Sequence, residues 1–336
     1  MKSYMQWAVA LAAALPLCAA QTYTSCNPLN ETCPADKGLN QWSFESNFTT
    51  GASSFDGWNF TDGKVNSTSL GAKFEIKAEG DAPTIESDFY IFFGYVEVKF
   101  RAANGTGIIS TSVMESDCLD EIDWEQVSTW DNEVQTDYFG KGNTTAGGRS
   151  ATLNVTDSEE EFHTYAVDWT TEKIEWILDG VVQKTVTYEE AVDGTNFPQT
   201  PMNIRIGIWA GGDPDNSIGT IEWAGGETDY SEGPFIMYLE SVKIINYNPA
   251  ESYTYTDKTG DYTSIKAANT TSSNSTTTSS KSTNSSSSSN SSSSSSGSSA
   301  SSSSGLSSSA ATGLSASFGS LVAIVGAGLL TGLLQL

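Results

Sequence analysis

In the stretch Asp120-Glu121-Ile122-Asp123-Trp124-Glu125, acidic and apolar residues alternate. Successive side chains of a β-strand point to opposite faces of the sheet, so Glu121, Asp123 and Glu125 share one face. Ile122 and Trp124 share the other face and can anchor the strand in a core. Crowded, unpaired carboxylates are costly to bury, so a strand that serves stability alone would avoid this pattern. The stretch predicts a strand with one apolar face and one acidic face.

A row of carboxylates suits glycosidic-bond cleavage, which needs one protonated and one ionised carboxyl group beside the bond. The Cα atoms of Glu121 and Glu125 would lie about 13 Å apart along a strand, and each side chain reaches about 4 Å. Across a concave sheet this leaves about 5 Å between the carboxyls, near the spacing of retaining enzymes. Asp123 is expected to raise the proton affinity of its neighbours or to hydrogen-bond to one of them. The alternative is a solvated strand face, and three alternating carboxylates opposite Ile and Trp favour the site.

The segment Glu121-Ile-Asp-Trp-Glu125 resembles the E-[IL]-D-[IWF]-E signature of glycoside hydrolase family 16. Other segments are similar to the fungal Crh subgroup of that family: residues 134–142, 162–169, 197–202, 209–214 and 219–226. The resemblance spans roughly residues 21–250. It implies a β-jelly roll with a concave face, and a cell-wall enzyme that transfers chitin to β-glucan.

Roles for individual residues follow from the carboxylate row and from the resemblance. Glu121 is expected to act as the nucleophile, and Glu125 as the acid and then the base. Asp123 is expected to set the charge of this pair and to hydrogen-bond to it. The resemblance implies that Arg205, Trp209 and Thr220 contact the sugar chain, with Trp223 nearby. Gln135 and Tyr138 are expected to face the cleft beside the acidic strand. The predicted substrate-binding set is Glu125, Arg205, Trp209, Thr220, Trp223, Gln135 and Tyr138.

Short alternating runs predict an all-β domain from about residue 41 to residue 248. In residues 203–209, Ile204, Ile206 and Ile208 alternate with Arg205, Gly207 and Trp209, so the isoleucines are expected to face the core. Asp179-Gly180 joins two alternating runs and predicts a tight hairpin. Many short strands in one domain indicate an antiparallel sandwich, which the resemblance narrows to a jelly roll.

Composition excludes several classes of partner. The net charge is −25 and the pI is about 4.1. A nucleic-acid partner would need a basic patch, and an anionic membrane surface would also repel this chain. A neutral polysaccharide such as chitin or β-glucan is compatible with the charge. The sequence predicts no metal site and no cofactor, because no ligand cluster or phosphate-binding glycine motif stands out.

The two ends of the chain have the composition of processed segments. Residues 1–20 predict a secretory signal peptide, with Lys2 before an apolar run and small residues before Gln21. Residues 251–312 are expected to form a disordered, Ser/Thr-rich stalk. Residues 313–336 end in an apolar stretch behind small residues, which is typical of a GPI-anchor signal that is later removed. Ala310 is the predicted attachment residue, and the outer membrane face and the cell wall are the predicted location.

A secreted chain is exposed to an oxidising compartment, where disulfides form and asparagines can be glycosylated. Cys26 and Cys33 are expected to form a disulfide that pins the N-terminal segment, whereas Cys118 is expected to be an inert free thiol. Within residues 21–250, seven asparagines begin an N-x-[ST] motif and predict surface positions if they are glycosylated. These are Asn30, Asn47, Asn59, Asn66, Asn104, Asn143 and Asn154.

Two other functions remain open from the sequence. An endo-β-1,3(4)-glucanase that only hydrolyses would share the fold and the three carboxylates. A non-catalytic wall lectin or structural mannoprotein would suit the stalk, the anchor and an aromatic cleft equally well. The intact carboxylate row argues against the lectin, because a binding module has no use for crowded acids.

Overall fold

The computed structural model describes residues 23–130 and 132–269. The predicted signal peptide, the predicted anchor signal with Ala310, and most of the predicted stalk lie outside the described residues.

Within the described residues the regular secondary structure is almost wholly β-strand. The strands in chain order are β1 (Asp36–Lys37), β2 (Ser43–Asn47), β3 (Trp58–Asp62), β4 (Asn66–Thr68), β5 (Gly71–Ile76), β6 (Thr84–Ser87), β7 (Gly94–Arg101), β8 (Ile108–Ser116), β9 (Glu121–Val127), β10 (Glu133–Phe139), β11 (Ala151–Asn154), β12 (His163–Trp169), β13 (Lys173–Leu178), β14 (Val181–Thr187), β15 (Met202–Ala210), β16 (Phe235–Asn246), β17 (Ser252–Tyr255) and β18 (Ile265–Ala268). One helix, α1 (Ile218–Trp223), and 3-10 turns at Phe48–Thr50, Ala52–Phe55, Tyr230–Glu232 and Tyr262–Ser264 complete the described elements. No helix of the described part is long and apolar enough to cross a membrane.

Two large sheets form the sandwich that the sequence predicts. The first has the order β11-β10-β9-β8-β15-β6-β3, and the second has the order β14-β13-β12-β7-β16-β5-β4 with β2 also paired to β16. All of these strand pairs are antiparallel. The predicted all-β sandwich is confirmed.

Alternation along the strands explains why the two sheets stack. Ile204, Ile206 and Ile208 of β15 are fully buried, as the sequence predicts. Trp124 of β9 donates its indole N–H to the Ala166 carbonyl of β12 at 3.2 Å. Trp176 of β13 donates in return to the Asp123 carbonyl at 3.0 Å. Apolar faces of the two sheets therefore meet in one core, and the indole groups satisfy their only polar atoms across it.

The tight hairpin predicted at Asp179-Gly180 joins β13 to β14. Asp179 has φ 48° and Gly180 has φ 77°. Two-residue hairpin turns with positive φ at both positions match the right-handed twist of the strands. Asp-Gly suits such a turn because glycine has no Cβ and aspartate tolerates this conformation better than most residues.

A third, small sheet extends the folded domain beyond the boundary expected at residue 250. It has the order β1-β17-β18, so it joins the start of the domain to the end. Tyr253 of β17 is fully buried and donates its hydroxyl to the Asn248 carbonyl at 2.7 Å. Residues 251–269 therefore belong to the folded domain, whereas the sequence analysis placed them in the stalk.

The residues expected at the surface or in a disulfide lie as follows. All seven asparagines of the N-x-[ST] motifs are exposed, and their glycosylation stays a prediction. Cys26 and Cys33 are joined by a disulfide with Cα atoms 5.8 Å apart. Cys118 is a buried free thiol, and burial raises its pKa to about 12.

Candidate active site

A groove lies on the outer face of the first sheet, on the side away from the core. All nine residues of β8 are buried, although every second side chain points away from the core. On β15, eight of nine residues are buried, and Trp209 alone is half-buried. The outer face of these central strands is therefore sheltered from solvent. We call this surface the groove, and its floor is formed by β9, β8, β15 and β6.

The carboxylate row, Glu121, Asp123 and Glu125, lies along β9 on the groove floor, and Ile122 and Trp124 are buried on the core side. The cross-strand partners of these acids on β8 are Glu115, Val113 and Thr111. Their partners on β10 are Phe139, Asp137 and Gln135. The row thus lies on the groove floor between β8 and β10, and its position agrees with the alternation in the sequence.

Protonation of the row is controlled first by burial. Burial raises the pKa of Asp123 well above its usual range, and the charges of Glu121 and Glu125 raise it further. Burial also raises the pKa of Glu121, although a hydrogen bond with Asp123 opposes that shift. For Glu125, burial and the charge of Glu121 raise the pKa to about 8. The three pKa shifts therefore favour a proton held within the row near neutral pH, and a proton shared among neighbouring carboxyls is what an acid and a nucleophile side by side require.

Asp120 anchors the start of β9, a role that the sequence analysis missed. Its side chain is fully buried and accepts hydrogen bonds from the main-chain N–H groups of Lys141, Gln199 and Thr200 at 2.8, 2.9 and 3.0 Å. The Thr200 hydroxyl donates a fourth bond at 2.7 Å. Two separate loops are tied in this way to the residue that precedes Glu121. Because catalytic side chains need rigid support, Asp120 helps to fix the position of the row.

Aromatic side chains bound the Glu125 end of the groove. Trp209 of β15 stacks on Trp223 of α1, with ring centres 6.0 Å apart and planes inclined by 25°. Trp223 donates its indole N–H to the Gln135 side chain at 2.9 Å. The Thr220 hydroxyl hydrogen-bonds to that of Ser217, which caps α1. The structure brings these four predicted residues to one end of the groove, and their contacts with sugar stay predictions.

Tyr138 does not share a face with Gln135, so the expectation that both face the cleft is wrong for Tyr138. Side chains three residues apart on a strand point to opposite sides. Tyr138 is 3% exposed and packs in the core near Trp176, with ring centres 6.1 Å apart. Asp137 takes the groove face instead, opposite Asp123, and pairs with Arg149 at 3.3 Å. The same alternation that revealed the carboxylate row could have found it.

Arg205 lies on the groove face as predicted, but Tyr23 covers it. Its guanidinium is 4.3 Å from the centre of the Tyr23 ring, and Arg205 is 4% exposed. Arg205 also pairs with the buried Glu115 and, at 3.6 Å, with Glu86. The resemblance implies that Arg205 contacts the sugar chain. In the structure Tyr23 stands between Arg205 and the open groove.

The raised pKa of Glu125 predicts that stability falls as the pH rises. In an unfolded chain a glutamate titrates near pH 4.3, so between that value and about 8 the folded state binds more protons. The free energy of unfolding therefore falls through this window. We expect Glu125→Gln to gain about 3 kcal/mol more at pH 8 than at pH 5, which is roughly 9 °C in Tm.

Calorimetry of both proteins at the two pH values measures this effect. Glu45→Gln, at an exposed position on β2, is the control and should show no pH-dependent gain. If Glu125→Gln changed Tm equally at pH 5 and pH 8, Glu125 would not carry the raised pKa.

Among the described residues, one group of acidic side chains has oxygens close enough to hold a cation. Glu79, Asp213 and Asp215 offer carboxylate oxygens within 4.8 Å of one another. Asp213 already accepts hydrogen bonds from the Tyr230 hydroxyl at 2.7 Å and from the Gly80 and Asp215 N–H groups. None of the three belongs to the carboxylate row, and the arrangement assigns no metal to the site.

Comparison with known proteins places this geometry among glycan-processing enzymes. The model of glycosyl hydrolases family 16 matches residues 53–225, more than half of the chain. Crh-like protein 1 of Aspergillus fumigatus is 56% identical over 266 residues, which cover 79% of this chain and 72% of that protein. Crh-like protein 5 of the same fungus is 54% identical over 259 residues, which cover 77% of this chain and 65% of that protein.

A solved structure is similar over the same domain. The Crh5 transglycosylase in complex with NAG superimposes with a TM-score of 0.70 at 53% identity. The match covers 72% of this chain and 99% of that one.

Proposed function

The chain belongs to family 16 of the glycosyl hydrolases, and on that premise we propose that it is a retaining transglycosylase of the fungal cell wall. The proposed donor is chitin and the proposed acceptor is β-glucan, so the enzyme would crosslink the two polymers. The observation that carries the proposal is the carboxylate row on the groove floor, where Glu121, Asp123 and Glu125 share one face of β9.

In the first step the Glu121 carboxylate attacks the anomeric carbon of the sugar. A bond forms between this carbon and a Glu121 oxygen while the glycosidic C–O bond breaks. Glu125 gives its proton to the departing oxygen, so the leaving chain departs as a neutral alcohol. Asp123 hydrogen-bonds to Glu121 and, after the reaction, to the ester that Glu121 has become.

In the second step Glu125, now ionised, takes a proton from the hydroxyl of an acceptor. The acceptor oxygen bonds to the anomeric carbon, and Glu121 leaves as a carboxylate. Each step inverts the anomeric centre, so the product keeps the configuration of the donor. Water as the acceptor gives hydrolysis, and a glycan as the acceptor gives transfer.

Two observations favour transfer over the hydrolysing alternative. One of the similar proteins is the Crh5 transglycosylase, and it is 53% identical in sequence to this chain. The stacked Trp209 and Trp223 border the Glu125 end, where they offer apolar surface to a sugar that approaches the acid and base. A bound glycan acceptor there would displace the water that hydrolysis needs.

The mass of the products distinguishes the alternatives. The secreted protein is incubated with chitin oligosaccharides and a fluorescently labelled β-glucan oligosaccharide. We expect labelled products whose mass is that of the acceptor plus N-acetylglucosamine residues. A glucanase would instead shorten the labelled β-glucan without adding residues, and a lectin would change no mass at all.

The proposal extends to the membrane and the wall. Cleavage after Ala310 and attachment of a GPI anchor to its carboxyl group would remove the apolar end of the chain and hold the enzyme on the outer face of the cell membrane, next to its polymers. We expect a GPI-specific phospholipase C to release the protein from isolated membranes. Mass spectrometry that finds Leu336 on the mature protein would contradict the anchor.

A further inference from the structure

Tyr23 is held on the groove floor by residues that are remote in sequence. Its N–H donates to the Glu115 carboxylate at 3.0 Å, and its carbonyl accepts from Arg205 at 3.0 Å. Its hydroxyl donates to Glu86 at 3.2 Å, and its ring covers the Arg205 guanidinium. These partners lie on β8, β15 and β6. The N-terminal segment is therefore part of the groove surface.

The position of Tyr23 can be related to the path of a bound glycan. The catalytic carboxyls flank the scissile bond and lie along β9, so the glycan must pass between them and cross the strands. From Asp123 that path crosses Val113 of β8 and then Arg205 of β15, its cross-strand neighbours. Tyr23 covers Arg205, about 10 Å or two strand spacings from Asp123. A glycan of a few residues would reach it.

The surroundings of Tyr23 favour a binding role. The residue is 48% exposed, whereas Arg205 and Glu115 beneath it are 4% and 1% exposed. One face of the ring lies on the guanidinium, and the exposure leaves the other face open to the groove. An aromatic ring combines a flat apolar face with a polar tip, which matches the apolar faces and hydroxyls of a sugar.

We propose that Tyr23 is a sugar-contacting residue, on which a glycan residue bound beyond Val113 stacks. Arg205, Glu115 and Glu86 then act as positioning residues that hold Tyr23. The disulfide between Cys26 and Cys33 constrains the segment that follows Tyr23 in the sequence. This inference rests on the proposed function, because it assumes that a β-linked glycan occupies the groove.

Binding without turnover tests the inference. Glu121→Gln is used as the parent, and its Kd for a soluble chitin oligosaccharide is measured by calorimetry. We expect the added Tyr23→Ala substitution to weaken binding about tenfold. Tyr23→Phe keeps the ring and should bind within about twofold of the parent. Trp42→Ala is the matched control, because Trp42 is a 60% exposed aromatic that packs on Tyr247, beside the second sheet.

The outcomes separate this inference from the function on which it rests. If the parent bound chitin oligosaccharide equally well with and without the Tyr23→Ala substitution, the sugar contact would be overturned and the proposed function would stay intact. A lowered Tm with an unchanged Kd would show that Tyr23 only covers Arg205, and it would also overturn the proposal. A parent that binds no β-linked oligosaccharide would overturn the proposed function and the inference together.

Discussion

Glu121→Gln is expected to lower the rate of both transfer and hydrolysis by at least about a thousandfold. An amide oxygen is a poor nucleophile and cannot form the covalent ester on which the two-step reaction depends. The fold should survive, because glutamine has nearly the same shape and the substitution removes a charge that burial disfavours. Product formation from chitin oligosaccharides and thermal unfolding, measured on one preparation, check both statements.

Azide makes this test specific for the nucleophile. With Glu121→Ala and a donor that carries a good leaving group, azide can attack the anomeric carbon in place of Glu121. Only one inversion then occurs, so we expect an α-glycosyl azide from a β-linked donor. Glu45→Gln, at an exposed site on β2, should behave like the wild type. Near-wild-type turnover in a folded Glu121→Gln protein would contradict the assignment.

Glu125→Gln is expected to slow the reaction on natural donors by about 10²–10⁴-fold. The loss should be much smaller on a donor whose leaving group departs without a proton, because protonation is the task that the variant cannot perform. With Glu125→Ala, azide should act in the second step and yield a β-glycosyl azide, since two inversions then occur. Equal losses on natural and activated donors would show that Glu125 is not the acid.

The sequence predicts features that depend on neighbours along one strand. Alternation on β9 identifies the carboxylate row, and alternation on β15 identifies the buried isoleucines, because both patterns report a sheet with one buried face. Tyr138 shows how strongly such a prediction depends on register. A separation of three residues moves a side chain to the other face, and the same run on β10 places Asp137 toward the row.

Contacts between distant parts of the chain are where the sequence offers little. Tyr23 and Arg205 are 182 residues apart in the sequence. The residues around either position do not predict that Tyr23 covers Arg205. β17 is rich in Thr, Ser and Tyr, so its composition is hard to tell from that of the polar segment after β18. The sequence therefore does not reveal these two strands. The alternation of Tyr253 and Tyr255 is a weak strand signal, and only pairing with β1 makes it decisive.

The small sheet β1-β17-β18 has a mechanical consequence if the enzyme is anchored, as proposed, through the chain that follows it. Ala268 pairs with Ser252, so tension applied after residue 269 would load the β17–β18 ladder one pair at a time from that end. Such peeling breaks few hydrogen bonds at once, whereas the central strands of the sandwich are paired on both sides. The terminal ladder would yield first and lengthen the tether. The ladder would thus separate at a lower force than the sandwich, and the tension would fall before it could distort the groove.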